Sequence, residues 1–420
     1  MRKMKDSGID WIGEIPEEWE IEAISRVFSQ RNVKVSDFEY APLSVTKQGV
    51  VPQLDSAAKS DDHSNRKLVK RGDFVINSRS DRKMSAGISQ YDGSVSLINL
   101  VMKPMDDKLQ TDFIGYLMKN YGFAEEFYRW GSGIVADLWS TNWERARKIQ
   151  LPLPPSPEQE KIAQFLDRKT ALIDDIIKDT KTSIEELKAY KQSLITEIVT
   201  KGLDPTVKLV PSGIEWVGDV PEGWKVVKSR YFLREVSIKG YTNEEVLSLY
   251  RDYGIVPKNS RSDNHNVTSL DTSGYKFIRP GNLVINKMKA WQGSMAISNI
   301  QGIVSPAYYI FEVDSDRFDL RFLHYALRNP IYKQEYMRIS AGLRIGQWDL
   351  NKNEFKNLKY AYPISIEEQK KVADYLDQKT AQIDALIAEK ENLIREYETY
   401  KKSMIYEYVT GKKQVGANEG

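Results

Sequence analysis

Ser7-Gly-Ile-Asp-Trp-Ile-Gly-Glu-Ile-Pro-Glu-Glu-Trp19 decides how the chain is read, because it returns 205 residues later as Ser212-Gly-Ile-Glu-Trp-Val-Gly-Asp-Val-Pro-Glu-Gly-Trp224. Gly49-Val-Val-Pro52 returns at the same offset as Gly254-Ile-Val-Pro257. Further along, Gly72-Asp-Phe-Val-Ile-Asn77 matches Gly281-Asn-Leu-Val-Ile-Asn286, and Gly133 to Trp139 matches Gly342 to Trp348, both at 209. Glu158-Gln159 and Phe165-Leu-Asp-Arg-Lys-Thr-Ala171 return at 210 as Glu368-Gln369 and Tyr375-Leu-Asp-Gln-Lys-Thr-Ala381. The order is kept and the offset drifts by five residues, so the chain is a tandem duplication with a period near half its 420 residues. Two copies of one binding unit predict a pseudo-two-fold object suited to a target with two half-sites.

The first part of each half reads as mixed. Short β-branched runs at Leu68–Asn77, Asn282–Asn286, Ser94–Met102 and Ile303–Val313 are strand candidates. Phe113–Trp130 and Phe318–Ile339 carry aromatics at helical spacing. Prolines at 152–157 and 363 mark boundaries.

The second part of each half is a helix. Ser156-Pro-Glu-Gln159 offers a Ser cap, Pro at the first helical position and Gln three residues on, and Ser365-Ile-Glu-Glu368 has the same form. Heptad-spaced apolar residues follow at Ile173, Ile176, Leu187, Tyr190 and Leu194, then at Ile383, Leu386, Leu393, Tyr397, Tyr400 and Met404, with Thr180 and Lys390 interrupting the seam. Gly202 and Gly411 are placed to stop the helices. Each spans about 44 residues, or about 66 Å, and the expected packing is one against the other, antiparallel by the pseudo-two-fold symmetry; the alternative is that each pairs with a different chain. The fold expected is α+β (mixed α/β): recognition domain 1–155, long helix 156–202, recognition domain 203–363, long helix 364–411 and a tail 412–420.

The chain carries 61 basic and 59 acidic residues, so any polyanion-binding surface must be local. It has no cysteine, which excludes disulfides and thiolate metal sites and suits a reducing cytoplasm. Met1–Asp10 lacks an apolar signal core and no apolar run is long enough to span a bilayer, so no membrane association is expected. There is no phosphate loop, Gly-rich cofactor turn, His-Glu-x-x-His or nucleophile elbow. His63 beside Asp61 and Asp62, and His265 beside Asp263 and Asn264, lack the ligand spacing of a metal site. Glu158-Gln159 and Glu368-Gln369 fall where capping and the helix dipole account for them. Trp11, Trp19, Trp216 and Trp224 look like nucleic-acid stacking residues, but a Gly-x-(Ile/Val)-Pro turn between tryptophans more often anchors a terminal segment to a core.

The Ser7 and Ser212 motifs resemble the opening of type I restriction–modification specificity subunits. So do Pro280-Gly-Asn-Leu-Val-Ile-Asn-Lys-Met-Lys-Ala-Trp-Gln-Gly293, Gly302-Ile-Val-Ser-Pro-Ala-Tyr308, and the two Glu-Gln pairs opening long helices. The resemblance covers essentially the whole chain. It implies two target-recognition domains, two helices that space them and dock modification subunits, and a double-stranded DNA target. Two modification subunits are expected, with restriction subunits as further partners. The chain itself then has no catalytic residue and no cofactor. S-adenosylmethionine, ATP and Mg belong to the partners, in keeping with the lack of an Asn-Pro-Pro-Tyr-type segment. Asn77-Ser-Arg-Ser-Asp-Arg-Lys-Met84 departs from the Asn286–Gly293 pattern, so the two domains should read different half-sites.

Residues 66–83 hold seven basic and two acidic residues; residues 258–289 hold six and two. Basic side chains give affinity through phosphates, while Arg, Asn and Gln give bidentate contacts to purines. The candidates are Lys47, Gln48, Arg66, Arg79, Arg82 and Lys83 in the first domain. In the second they are Arg251, Lys258, Arg261, Lys287, Lys289 and Gln292, with Arg344 in a glycine-flanked loop. Each is also what an ordinary solvated face carries. Lys188, Lys191, Glu391 and Arg395 are expected on the outer helix faces, open to partners. A protein-only coiled-coil adaptor with two tandem binding domains is the competing reading; it leaves the basic stretches without a role. A nuclease or methyltransferase with an unrecognised site is a third, opposed by the missing motifs.

Overall fold

Two runs free of glycine and proline, 158–201 and 366–410, form the cores of the long helices Ser156–Lys201 and Ile366–Val409, of 46 and 44 residues. Each ends at a glycine in the left-handed region, Gly202 at φ +71° and Gly411 at φ +73°, a conformation that strains any side chain bearing a Cβ. The structure, a computed structural model, describes residues 2–54, 63–105, 109–133, 139–251, 253–260, 271–344 and 347–416, with the backbone alone at 343, 344 and 347. The chain folds into two compact units, Met1–Thr180 with Asn392–Gly420, and Lys181–Glu391. Each helix contributes its first part to one unit and its last part to the other.

The duplication extends to strand order. In the first unit a four-stranded antiparallel sheet runs Phe28–Gln30, Asn99–Pro104, Phe74–Asn77, Ala86–Ile88. In the second the order is Leu233–Val236, Tyr308–Val313, Leu283–Asn286, Met295–Ile297. Alternation along the central strand explains its apolar run. Phe74 and Ile76 face the helices while Val75 faces a smaller core with Leu43, Val50, Val69 and Val95. Leu283, Ile285 and Val284 repeat this division. A hairpin stands on the outer side of each sheet, Leu43–Thr46 with Gly49–Pro52, and Leu247–Tyr250 with Gly254–Pro257.

The longer expected elements are interrupted. Phe113–Trp130 is two helices, Thr111–Leu117 and Tyr121–Arg129, because Asn120 caps the second through Phe123 N–H. Phe318–Ile339 likewise breaks at Asn329-Pro330 into Leu320–Arg328 and Pro330–Arg338. Leu68–Asn77 turns at Gly72, φ +89°, and Ser94–Met102 divides between two sheets.

The helix pairing is antiparallel in each unit. In the first, Phe165 packs on Tyr408 at 4.5 Å between ring centroids and Lys401 reaches Asp174 at 2.6 Å. In the second, Lys191 reaches Asp384 at 2.6 Å. The buried positions are Ile173, Ile177, Thr180, Ile184 and Leu194, then Ile383 and Met404, with Ile394 and Tyr397 half-buried. This corrects the expected seam. Ile177 and Ile184 occupy it rather than Ile176, and Tyr190, Leu386, Leu393 and Tyr400 are exposed. Steps of three and four both preserve an apolar heptad pattern, so the pattern leaves two seams open and packing selects one.

Each opening motif is an anchor. Trp19 is fully buried and its Nε1 donates to Glu158 Oε2 at 3.1 Å; Trp224 does the same to Glu368 Oε1 at 3.0 Å. The neighbouring glutamines, both buried, bind backbone. Gln159 accepts from Gln110 N–H at 3.0 Å and donates to Pro154 O, and Gln369 accepts from Asp319 N–H at 2.8 Å and donates to Pro363 O. The Glu-Gln pairs therefore fasten the mixed domain of each half to the first turn of its long helix, a role beyond capping.

Candidate nucleic-acid interface

In each unit a loop leaves the central strand beside the hairpin. In the first, Asn77 Oδ1 accepts from Arg79 N–H at 3.1 Å, Ser80 N–H donates to Trp139 O at 2.8 Å, and Tyr128 Oη donates to Asn77 O at 2.8 Å. These bonds close the loop into the short 3-10 turn Ser80–Arg82. Met84 follows at φ +68°, the sole non-glycine at positive φ among the described residues. A residue held there needs its surroundings to fix it.

Lys47, Arg79 and Arg82 line one cleft of 570 Å³ between this loop and the hairpin turn. Arg82 also borders a second cleft of 360 Å³ with Ser44, Gln53 and Asn99. Asp81 lies 3.3 Å from Arg79 Nε and 3.6 Å from Arg82 Nε, leaving three cations against one carboxylate among the described lining residues. Gln48 is exposed beside Lys47 at the hairpin turn. Lys83 points the other way, to Glu125 at 2.9 Å.

Arg66 also lines the second cleft, but as a strand brace. It is 7% exposed, donating from Nε to Ser94 Oγ at 2.8 Å and from Nη2 to Ser94 O at 3.0 Å, and burial lowers its pKa. Its guanidinium holds two strands together, so it is engaged and buried rather than the open cation the sequence leads one to expect. Arg66→Ala is expected to cost about 2 kcal/mol, since hydrogen bonds to a charged group are lost and Ser94 is left without that donor. Urea unfolding measures this; an unchanged midpoint would show the bonds to be dispensable.

In the second unit Arg251 is exposed beyond the strand Leu247–Tyr250, its carbonyl accepting from Arg328. Lys258 opens the 3-10 turn Lys258–Ser260. Lys287 pairs with Asp349 at 3.1 Å, exposed Lys289 precedes the turn Ala290–Gln292, and Gln292 is half-buried. Trp291 packs on Trp348, 5.2 Å between ring centroids, and donates to Met288 O at 3.2 Å. Arg261 and His265 lie outside the described residues, as does the side chain of Arg344. The backbone of Arg344 ends the strand Ser340–Arg344, paired with Gln347–Leu350, rather than lying in a loop.

Two lysines in the basic stretches prove to be braces. Lys67 Nζ donates to Asn99 O at 2.8 Å and Lys276 Nζ to Tyr308 O at 2.6 Å, and burial lowers both pKa values. Their recurrence at offset 209 was the available signal for a shared structural role. His63 is paired with Asp37 at 2.9 Å, and among the described residues no group of three His, Cys, Asp or Glu side chains could hold a metal.

On the helices, Lys188, Glu391 and Arg395 are exposed. Lys191 is not open as expected. It occupies a seam-side position and is engaged by Asp384. No helix among the described residues is long and apolar enough to cross a membrane.

Comparison with known proteins agrees with this architecture. A curated relative, the putative type I restriction enzyme MjaX specificity subunit of Methanocaldococcus jannaschii, is 22% identical over a 432-residue alignment covering 96% of each chain. The MjaVIII specificity subunit of the same organism is 26% identical over 288 residues, covering 64% of this chain and 63% of that one. Among solved structures, one described under complex assembly and conformational transition of the type I R-M system matches at TM-score 0.70 and 14% identity, over 95% of this chain and 99% of that one. The HsdS subunit from Thermoanaerobacter tengcongensis matches at 0.55 and 16%, over 95% and 98%. The family model for the type I restriction modification DNA specificity domain matches twice, at residues 16–186 and 221–396. With both halves of the duplication matched in this way, the chain belongs to the type I restriction modification DNA specificity family and carries two tandem copies of its domain.

Proposed function

We propose that this chain is the DNA-reading subunit of a type I restriction–modification enzyme, non-catalytic by itself, recognising a bipartite asymmetric target. The observation that carries this reading is the loop and hairpin repeated beside each sheet. The scaffold is shared, while the polar and basic side chains on it differ: Lys47, Gln48, Arg79, Arg82 and Lys83 in one copy, Arg251, Lys258, Lys287, Lys289 and Gln292 in the other. A shared scaffold with divergent polar tips suits two different half-sites. Arg261 and Arg344 stay in the candidate set from the sequence.

Methyl transfer and cleavage fall to partner subunits, which supply S-adenosylmethionine, ATP and Mg. Two modification subunits, with restriction subunits, are the proposed partners. The proposed docking surface is the outer faces of the helices, which expose Lys188, Glu391 and Arg395 and, at other positions around the helices, Tyr190, Leu386, Leu393 and Tyr400. Exposed apolar side chains along a helix favour a protein partner over water.

The test is methylome sequencing of a host expressing the complete system, with labelled S-adenosylmethionine offered to the pure chain in parallel. Two short specific segments around a fixed gap, and no turnover by the chain alone, are expected. A continuous motif, or methylation by the isolated chain, would overturn the reading.

A further inference from the structure

We infer that Arg82 reads a guanine in the half-site of the first domain, and that the second domain has no counterpart to it. This rests on the DNA-reading assignment above and goes beyond it by naming one specificity-determining residue.

Among the described residues, Arg82 is the one shared by the two clefts that also presents a forked cation to them; its side chain is 68% exposed. Its backbone is held: Arg82 N–H donates to Arg79 O at 3.1 Å, Ser85 N–H donates to Arg82 O at 3.1 Å, and Tyr128 Oη reaches the same carbonyl at 3.4 Å. Two residues on, Met84 sustains its left-handed φ. A fixed main chain beneath an exposed guanidinium is what bidentate recognition of guanine O6 and N7 requires.

The other cations fit different work. Lys83 is spent on Glu125 at 2.9 Å. Arg79 is the closer to Asp81 and is half as exposed as Arg82. Lys47 is a point charge at a hairpin turn, suited to phosphate.

The duplication supplies an internal control. Asn77 and Asn286 fix the correspondence, each turning its loop through its side chain, at Arg79 N–H and Met288 N–H. Counting from them, Trp291 stands where Arg82 stands. Trp291 is consumed internally against Trp348 and Met288 O. A residue demanded by the shared scaffold would recur in both copies; Arg82 does not.

The experiment is methylome sequencing of the complete system carrying Arg82→Ala, with Arg82→Lys alongside. Competition gel shifts on the wild-type target and its single-base variants complement it. The wild-type motif should contain a G·C pair in one half-site. Arg82→Ala should relax that position alone, lowering discrimination there about 5- to 150-fold, with the other half-site and the gap unchanged and Arg82→Lys intermediate. If methylation by the variant is too weak to read, the gel shifts carry the same comparison, and an unchanged urea midpoint confirms the fold. Uniform weakening over all sequences with a salt slope smaller by about one would make Arg82 a phosphate contact and overturn the inference, as would an unchanged motif. Failure of the wild-type system to methylate any specific sequence would instead overturn the DNA-reading assignment itself.

Discussion

Replacing Gly411 by alanine is expected to destabilise the first unit by about 3 kcal/mol, well above the cost of the same change at other left-handed glycines. Two effects combine. At φ +73° an alanine is strained, which costs about 1–2 kcal/mol. A Cβ there would also lie 2.3 Å from Pro16 Cδ, 2.7 Å from Pro16 Cγ and 3.2 Å from Trp19 Cη2. Neither neighbour can yield, since Pro16 is a ring in the strand Glu14–Pro16 and Trp19 is fully buried and bonded to Glu158. Overpacking of that kind adds about 1–3 kcal/mol. Two controls separate the terms. Gly8, at φ +66° with nothing within 4 Å, should show the strain alone, and so should Gly202, at φ +71° with Trp224 Cζ2 at 3.4 Å. Urea unfolding of the three variants gives the order directly. Equal losses at Gly411 and Gly8 would mean that the end of the second long helix is not seated on the opening motif.

That contact was not legible in the chain. Pro16 and Gly411 are separated by almost the whole sequence, and a glycine after a helix reads as a stop whether or not anything packs on it. What recurs at a fixed offset was legible: the two copies, the long helices and the anchoring tryptophans. The role of Glu158 and Glu368 was not, because the first turn of any helix favours carboxylates and the indole partners are distant in sequence. Arg66 shows the limit for the site. In a run dense with Arg and Lys, charge alone does not separate a guanidinium facing solvent from one buried against Ser94; the strand alternation that buries Arg66 is set by pairing with Gly93–Ser96. Recurrence between copies separates the two kinds once the bonds are seen: Lys67 and Lys276 recur and brace the scaffold, whereas Arg82 has no basic counterpart.

Removing seven residues from each long helix, 178–184 from the first and 391–397 from the second, is expected to shorten the unread gap of the target by about three base pairs while leaving both half-sites intact. The register permits this design. The ion pairs Lys401–Asp174 and Lys191–Asp384 lie 17 residues apart on either helix, so the two deletions remove matched stretches between them and keep both pairs. Seven residues are two turns of the seam, so Ile173, Ile177 and Leu187 stay in phase with Leu194, and Ile383 with Lys401 and Met404. Seven residues of helix are about 10 Å, and base pairs rise about 3.4 Å each. A deletion of four would be shorter but would turn the remainder out of the seam by about 50°, burying the wrong faces. Deleting seven from one helix alone breaks both the register and the pairing, and that variant should fail to assemble an active enzyme. The deleted stretch also takes Glu391, Leu393 and Arg395 from the proposed docking face, so gel shifts of the doubly deleted chain on targets of graded gap, which need no partner subunit, decide the matter. Preference for the original gap would show that helix length does not set the spacing, whereas a shortened gap with unchanged segments would assign spacing to the helices and base identity to the domains.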